Sequence, residues 1–377
     1  MGEVQVISTV YGDRHWASFV KLPWAVYRND AAWVPPLLYE QQKMLHPRKN
    51  PFFKTADIKY WIAVRGRQPV GRIAAVVDTL HNLHYGEQTG FFGYFESFND
   101  KEAAAALTEA AERWLIEKGM RKIMGPVNLA TANECGLLVE GFDTPPFLQM
   151  THNPVYYERL LLGRGYRRET DLLAYYTPAT IVDNIAVMDR LKKLHDYILH
   201  KHRIRFRKIN MKHYTEEVET IRSLYNDFMG DNWGFIPIDR ENFSFMTSSM
   251  KEILDSDLAF FAEVDGKPVG FSVGIPNVNE VIQKMDGKLF PFGFFKYLFY
   301  RKKITAFRVM LMGVSGAYRR KGIEAVFIYK TIMEAVAKKF KGAELSWIME
   351  NNRALISELE FLQSELYKRY RILSKVL

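Results

Sequence analysis

The chain has 377 residues, 48% of them hydrophobic, and is therefore long enough to form two domains with cores of their own. It has no uninterrupted apolar run of about 18 residues and no basic segment followed by an apolar one near its start, so we expect neither a membrane-spanning helix nor a secretory signal. The single cysteine, Cys135, excludes an intrachain disulfide and a cysteine-based zinc cluster and favours the cytoplasm, whereas the net charge of +9 suits anionic partners such as CoA, lipid headgroups or RNA.

The first half of the chain predicts alternating strands and helices. A strand at 4–11 precedes a helical stretch, a hairpin at 59–77 and a strand at 90–96, and an alanine-rich helix follows at 100–118. The segment that joins this strand to this helix contains neither glycine nor arginine. We therefore expect no phosphate-binding turn in the first half.

A long polar loop follows that helix. It extends over residues 125–157 and is rich in Gly, Pro, Asn and aromatic residues, which is typical of an ordered and functional loop. Four of its residues are candidates for a substrate-binding wall: Asn128, Asn133, Glu134 and Tyr156. The alternative is that the asparagines only satisfy the backbone of turns.

The second half repeats the first. A strand, a glycine turn and a strand beginning Pro-Val-Gly occur at 60–71 and again at 259–270, an offset of about 200 residues that the opening and closing segments of each half nearly keep. Between the halves, residues 177–202 place apolar side chains on one helical face and predict a docked connecting helix. The sequence thus predicts two duplicated domains, 1–176 and 203–377.

The second half contains a turn that the first half lacks. An apolar strand at 305–314 and a helix with apolar residues at helical spacing enclose a basic turn that contains Arg319, Arg320, Lys321 and Gly322. Backbone N–H groups at a helix N-terminus, the helix dipole and these cations would all favour a phosphate. We therefore predict that this turn binds a pyrophosphate.

These residues resemble the acyl-CoA-binding motif of the GNAT acetyltransferase superfamily, Arg/Gln-x-x-Gly-x-Gly/Ala. Arg319 and Gly322 match the motif, but Glu324 stands where a small residue is usual. A carboxylate aimed at the ligand would repel a diphosphate, whereas one turned outward would complement the helix dipole. By resemblance, the fold is α/β (α+β, with a mixed sheet) and consists of two tandem GNAT-like domains, of which only the second has the CoA pyrophosphate loop.

The resemblance also implies the binding residues. It assigns acetyl-CoA or a longer acyl-CoA to Met312, Val314, Arg319, Arg320, Lys321, Gly322, Ile323, Glu324 and Ala325. It places the acceptor at Asn232 and Trp233, although Trp233 as an ordinary core residue is an equal alternative.

Transfer of an acyl group to an amine needs a base, donors for the oxyanion and an acid for the thiolate. Glu350, after the next predicted strand, is our candidate base, with Asn351 beside it; the alternative for Glu350 is a solvent-facing or helix N-terminal carboxylate. The tyrosine of the GNAT tail pattern is replaced by Glu358. Tyr367 or Tyr370 could supply the acid only if the tail folds back.

Two further stretches have alternative interpretations. Residues 288–303 combine seven aromatic residues with a basic end, which suits a peripheral membrane contact, the wall of an acyl channel or an aromatic insertion buried against the first domain. His81, His84 and Glu87 have a loosely metal-like spacing without a further ligand, and we expect no metal.

The sequence therefore predicts a cytoplasmic, membrane-peripheral N-acyltransferase that acts on a small-molecule or lipid amine and has no DNA partner. A non-catalytic acyl-CoA or lipid-binding protein is the first alternative, since Glu324 and the missing tail tyrosine favour it. An aminoacyl-tRNA-dependent peptidyl transferase is the second, although the coiled-coil arm of such proteins has no counterpart here. The acyl length, the acceptor and the oligomeric state stay open.

Overall fold

The computed structural model describes residues 2–201, 204–230, 232–289 and 293–377. Contacts divide the chain into two compact units. Unit 1 comprises Met1–Leu172, Val281–Phe299 and Lys368–Leu377, and unit 2 comprises Leu173–Glu280 and Tyr300–Tyr367. The domain boundaries drawn from the sequence stay a prediction.

Strands and helices alternate along both halves, and the mixed α/β fold expected from the sequence is confirmed. The first half contains β1 (Val4–Thr9), α1 (Trp16–Val26), α2 (Leu38–Met44), β2 (Ala56–Arg65), β3 (Gln68–Asp78), α3 (Thr79–Tyr85), β4 (Thr89–Ser97), α4 (Lys101–Glu117), β5 (Lys122–Gly125), β6 (Leu137–Glu140), α5 (Tyr156–Leu162) and β7 (Arg167–Pro178). The second half contains α6 (Ile185–Lys201), β8 (Ile204–Lys208), α7 (Tyr214–Phe228), α8 (Arg240–Thr247), β9 (Ala259–Val264), β10 (Lys267–Pro276), α9 (Asn279–Ile282), α10 (Gly293–Tyr300), β11 (Ala306–Val314), α11 (Ile323–Ala337), β12 (Gly342–Met349), α12 (Arg353–Phe361) and β13 (Glu365–Val376).

Unit 1 is built on a sheet in the order β1-β2-β3-β4-β5-β13, with β6 paired to β13. β1 to β4 are antiparallel, and β4 and β5 are parallel. α4 covers this sheet and can lie close to β3 because Gly71 has no side chain: a Cβ there would lie 2.6 Å from Cδ1 of Leu107. Leu107 and Ala111 of α4 are fully buried in the core.

Unit 2 repeats this plan in the order β7-β12-β11-β10-β9-β8, with β11 and β12 parallel. The sequence repeat corresponds to the hairpins β2–β3 and β9–β10, which turn at Gly66 and Gly266, both with positive φ. Successive residues of β11 point to opposite faces of the sheet. Val314 joins the core formed with α11, and Gly313 faces Phe228 of α7, so the two helices cover opposite faces.

The segment Val281–Phe299, which precedes β11 in the chain, belongs to unit 1 and is hydrogen-bonded to it. The Nε1–H of Trp24 donates a hydrogen bond to Asp286 at 3.2 Å, and the N–H of Leu38 donates to the carbonyl of Gly287 at 3.0 Å. Within the predicted segment 288–303, residues 290–292 lie outside the described residues.

In the described parts of the chain, none of the helices is both long enough and apolar enough to cross a bilayer.

Candidate functional site

The parallel strands β11 and β12 separate part-way along their length. Residues 306–309 pair with residues 342–345, and this is the full extent of their pairing among the residues that the structure describes. Beyond this point β11 still pairs with β10, up to Val314 opposite Gly270. The backbone groups of residues 310–314 that face β12 therefore line a gap, where they are available to a ligand.

The turn after β11 leaves helix N-terminal amides open. The N–H groups of Tyr318 and Arg319 both donate to the carbonyl of Ser315, at 2.8 and 3.0 Å. Gly322 then has a φ of +81°, and the first intrahelical bond of α11 runs from the N–H of Val326 to the carbonyl of Gly322 at 3.2 Å. Because an α-helix leaves its first amides without an intrahelical acceptor, the N–H groups of residues 323–325 can bind an anion.

The predicted cations surround this turn. The side chains of Arg319, Arg320 and Lys321 are exposed. Arg319 donates from Nη2 to the carbonyl of Phe228 at 2.8 Å, and the Nζ of Lys321 lies 4.4 Å from the ring centroid of Tyr318. The turn is therefore electropositive, and Arg319 also ties it to the C-terminus of α7.

The side chains of the other predicted CoA-binding residues differ in how far they are buried, and so in whether a ligand could contact them. Val314 and Ile323 are buried in the core, so only their backbone groups are available to a ligand, whereas Met312 and Ala325 are half-buried. These assignments stay predictions.

Glu324 adopts a geometry between the two alternatives that the sequence left open. Burial raises the pKa of its carboxyl, against the lowering effects of a hydrogen bond from its own backbone N–H and of the nearby Arg319. The carboxylate is thus close to the backbone N–H of its own residue, one of the open amides of α11. Burial and the charge of Glu324 together raise the pKa of Glu358 on α12, so the two carboxyl groups are electrostatic neighbours.

A buried polar cluster that sequence reasoning missed lies where β11 and β12 separate. Arg308 donates from Nε to Ser346 Oγ at 2.8 Å and lies 3.5 Å from the carboxylate of Glu344, which also accepts from Ser346 at 2.6 Å. Arg308 and Glu344 are buried. The sequence signal that could have indicated this cluster is a single charged residue between apolar neighbours in each strand, Arg308 in β11 and Glu344 in β12.

The chain tail adds a tyrosine to this cluster. Tyr367 lies near the start of β13, and its hydroxyl donates a hydrogen bond to the Glu344 carboxylate. The tail therefore folds back, as the use of Tyr367 as an acid would require. Tyr370 is fully buried in unit 1 and is not part of this cluster.

The predicted base lies directly after β12. Glu350 is half-buried, and Asn351 is exposed. Their neighbour Asn352, which we did not select, caps α12 by accepting a hydrogen bond from the N–H of Leu355 at 3.2 Å. The catalytic roles of Glu350 and Asn351 stay predictions.

The predicted acceptor residues lie in the loop after α7. Asn232 is exposed, with its side-chain amide 3.0 Å from the sulfur of Met229, and Trp233 is half-buried. Since Phe228 at the end of α7 packs against Gly313, this loop begins beside the separated part of β11.

In unit 1 the corresponding gap is closed. β4 and β5 pair only over residues 89–91 and 122–124, and the following loop then bonds to β4. The N–H of Val127 donates to the carbonyl of Phe92 at 2.7 Å, and the N–H of Tyr94 donates to the side chain of Asn128 at 2.7 Å. Asn128 in turn donates to Glu134 at 3.2 Å.

The four predicted wall residues therefore separate into two groups. Asn128 and Glu134 hold the loop closed, and Asn133 stays in the same loop, with its N–H bonded to the carbonyl of Ala130 at 2.9 Å. Tyr156 instead donates to the carbonyl of Ser97 at 2.8 Å and lines a surface pocket of unit 1.

A second buried polar cluster lies behind that pocket. The carboxylate of Glu96 accepts hydrogen bonds from Tyr27 at 2.8 Å and Tyr157 at 2.7 Å, and Arg72 lies 3.4 Å away. Burial raises the pKa of Glu96 despite these partners. Since both carboxylate oxygens of Glu96 have partners within the unit, we interpret this cluster as structural.

The metal-like spacing does not correspond to a ligand cluster. The ring of His81 is buried edge-on against Phe91, with centroids 4.8 Å apart. Among the described residues, no three His, Cys, Asp or Glu side chains are grouped so that they could hold a metal ion.

Comparison with known proteins identifies two relatives by sequence and, by structure, solved proteins with the same fold. No family model matches the chain. It is 38% identical to protein YghO of Escherichia coli, covering 95% of this chain and 92% of that protein. It is 35% identical to the bacterial ceramide synthase of Caulobacter vibrioides, with coverages of 95% and 94%.

Among solved structures, a tandem GNAT protein from the clavulanic acid biosynthesis pathway superposes with a TM-score of 0.59 at 10% identity, covering 99% of this chain and 98% of that one. The tandem GNAT fold expected from the sequence is confirmed.

Proposed function

The chain belongs to the family that includes protein YghO of E. coli and the bacterial ceramide synthase of C. vibrioides, and on this basis we propose that it N-acylates a long-chain amine. The chain is an acyltransferase of the GNAT type, which takes its acyl group from acyl-CoA. A ceramide is an N-acylated long-chain amino alcohol, so an amino alcohol of this kind is the acceptor that we propose.

The start of α11 is the observation that carries this proposal. It combines open amides after Gly322, three exposed cations and an adjacent gap between β11 and β12. This arrangement suits a pyrophosphate at the helix N-terminus with its thioester arm lying along β11. The described residues of unit 1 form no equivalent, since its own residues occupy the corresponding gap.

The chemistry assigned to this gap is ordinary amide formation. The acceptor nitrogen attacks the thioester carbon while Glu350 removes its proton, and N–H groups of β11 stabilise the oxyanion. When the carbon–sulfur bond breaks, the hydroxyl of Tyr367 turns from the Glu344 carboxylate to the sulfur and donates its proton to the thiolate, and the tyrosinate then regains, by way of solvent, the proton that Glu350 took from the amine. Glu344 and Arg308 position this tyrosine through the hydrogen bond from its hydroxyl to the carboxylate.

The acceptor in this proposal lies against the loop after α7. Trp233 offers an apolar surface and Asn232 a hydrogen-bonding amide at the end of the gap that Phe228 marks. An amino alcohol needs both kinds of contact, since its head group is polar and its chain is apolar.

Peripheral membrane contact is a further part of this proposal. Helix α10 exposes Phe295 by 67%, Leu298 by 41% and Phe299 by 64%, and the exposed cations 301–303 follow directly. Apolar side chains next to cations suit an anionic lipid surface. We expect co-sedimentation with vesicles that contain phosphatidylglycerol, weakened by Phe295→Asp. Binding that is the same in the variant, or absent in the unmodified protein, would contradict this contact.

The activity itself is tested by CoA release. The purified protein is incubated with palmitoyl-CoA, with and without a long-chain amino alcohol, and both free thiol and amide product are measured. We expect thiol and amide in equal amounts and only when the amine is present. Thiol without amide would indicate a thioesterase, and tight acyl-CoA binding without thiol release would favour the non-catalytic alternative.

A further inference from the structure

Unit 2 contains an apolar cavity between α11 and the paired part of β11 and β12. Its volume is about 50 Å³, and it is partly open to solvent. The lining residues that the argument uses are Val309, Met312, Ile328, Thr331, Ile332 and Val336. The rest of the wall is also mostly apolar and comes from β11, α11 and β12, from the end of β7 and the segment after it, and from Leu362.

The cavity begins at the proposed thioester site. Val309 is the last residue of β11 that pairs with β12, and Met312 lies in the separated part that faces the gap. From there the cavity follows α11 from Ile328 to Val336, a distance of about 12 Å along the helix axis. It therefore extends away from the cation-lined turn at Gly322.

The lining suits a hydrocarbon and not water. Thr331 is 5% exposed, and in the described structure its hydroxyl has no hydrogen-bond partner. A stable internal water needs two or more polar partners, which a wall of this composition does not supply. Apolar walls favour an apolar occupant, since each buried methylene strengthens binding by roughly fourfold.

We propose that this cavity receives the hydrocarbon chain of acyl-CoA and sets the chain length that the protein accepts. The inference rests on the proposed function in one respect, which is that the thioester lies where β11 and β12 separate. It implies an acyl chain longer than acetyl, because an acetyl group held at the thioester site would leave the cavity empty.

Two variants change the size of the cavity in opposite directions. Thr331→Phe fills it and should weaken binding of palmitoyl-CoA by tenfold or more while acetyl-CoA binding changes by less than about twofold. Ile332→Ala enlarges it and should move the preferred acyl chain to a longer one. Met333→Phe is the matched control, since Met333 is on the same helix but 45% exposed and outside the lining.

Affinity is measured by calorimetry for acetyl-, octanoyl- and palmitoyl-CoA, with circular dichroism to verify folding. If Thr331→Phe fails to fold, Ile332→Ala alone still tests the inference. An equal effect on all three ligands, or none in either variant, would overturn it. Chain-length-dependent binding without turnover would instead refute the proposed activity and leave the cavity assignment standing.

Discussion

The two units differ most at the helix that follows the parallel strand. In unit 1 the side chain of Asp100 accepts hydrogen bonds from the N–H groups of Glu102 and Ala103, at 3.0 and 3.1 Å, and so caps α4. In unit 2 the equivalent N-cap position is Gly322. It has no side chain that could accept hydrogen bonds from the first N–H groups of α11. Unit 1 therefore caps the N-terminus of α4 with its own carboxylate, whereas unit 2 leaves most of the N-terminal amides of α11 available to a ligand.

The gap beside each helix differs in the same way. In unit 1, Val127 and Asn128 bond to β4 where β5 has turned away, whereas in unit 2 residues 310–314 have no such loop against them in the described structure. In the described parts of the chain, the duplicated fold therefore leaves this gap open in unit 2 and closes it in unit 1, so topology alone does not determine where a ligand could bind.

Of the substitutions that test this difference between the units, Gly322→Trp should have the largest effect on acyl-CoA binding. The φ of Gly322 is +81°, and a Cβ there would lie 3.0 Å from Cδ1 of Ile198 on α6, so the turn must rearrange and move its amides. We expect acyl-CoA binding to weaken by about 100-fold or more in calorimetry, the equivalent of roughly 3 kcal/mol.

Gly316→Ala is the matched control, since a Cβ there would meet nothing within 4 Å. It should bind acyl-CoA as the unmodified protein does. Normal binding by a folded Gly322→Trp variant would show that the pyrophosphate lies elsewhere.

Local sequence signals identified the parts of this site that are close in the chain. The hairpins at Gly66 and Gly266 and the turn at Gly322 could all be predicted, because glycine conformation and apolar periodicity act over a few residues. The same reasoning predicted a connecting helix within 177–202; that range contains α6, which packs against Gly322 through Ile198.

Contacts between distant residues could not be predicted in this way. Arg308, Glu344 and Tyr367 meet only because the C-terminal tail brings Tyr367 back to the side chain of Glu344, and nothing near each residue in the sequence indicates this contact. Likewise, Asn128 was predicted as a substrate residue because its loop is polar, but its hydrogen bond to β4 depends on how that loop folds back. The sequence identified which side chains are charged or polar, whereas their hydrogen-bond and ion-pair partners depend on the tertiary structure.

Glu324→Gln should have an intermediate effect, in the opposite direction to Gly322→Trp. The Glu324 carboxylate lies at an amide that the pyrophosphate would use, so its negative charge opposes binding. Because burial raises its pKa, protonation of Glu324 as the pH falls towards that raised pKa removes the charge. The unmodified protein should therefore bind acyl-CoA more tightly as the pH falls, whereas the variant should bind about three- to tenfold more tightly at pH 8 and show a flatter profile.

The same substitution affects stability, with a defined sign. A carboxyl whose folded pKa is raised binds more protons in the folded state than in the unfolded one, so stability falls as pH rises from its unfolded pKa through its folded value. Glu324→Gln should reduce this fall, as measured by urea denaturation. Glu360→Gln, an exposed acid on α12, is the control. An unchanged pH profile of binding would mean that Glu324 moves away when the ligand arrives.

Asp100→Ala should have the smallest effect and tests which difference between the units matters. Loss of the cap should destabilise the protein by about 1 kcal/mol in urea denaturation. Glu109→Ala is the control on the same helix, because it removes only an exposed pair with Arg113 and should cost about 0.3–0.5 kcal/mol.

The Asp100→Ala variant also exposes the amides of α4, yet calorimetry should still give one acyl-CoA per chain, because Val127 continues to close the gap beside β4. A second binding event would mean that the cap alone excludes the ligand from unit 1. A single event, combined with the loss of stability, would mean that a ligand site in this fold needs both an uncapped helix and an open gap, and that unit 1 lacks the second even when it gains the first.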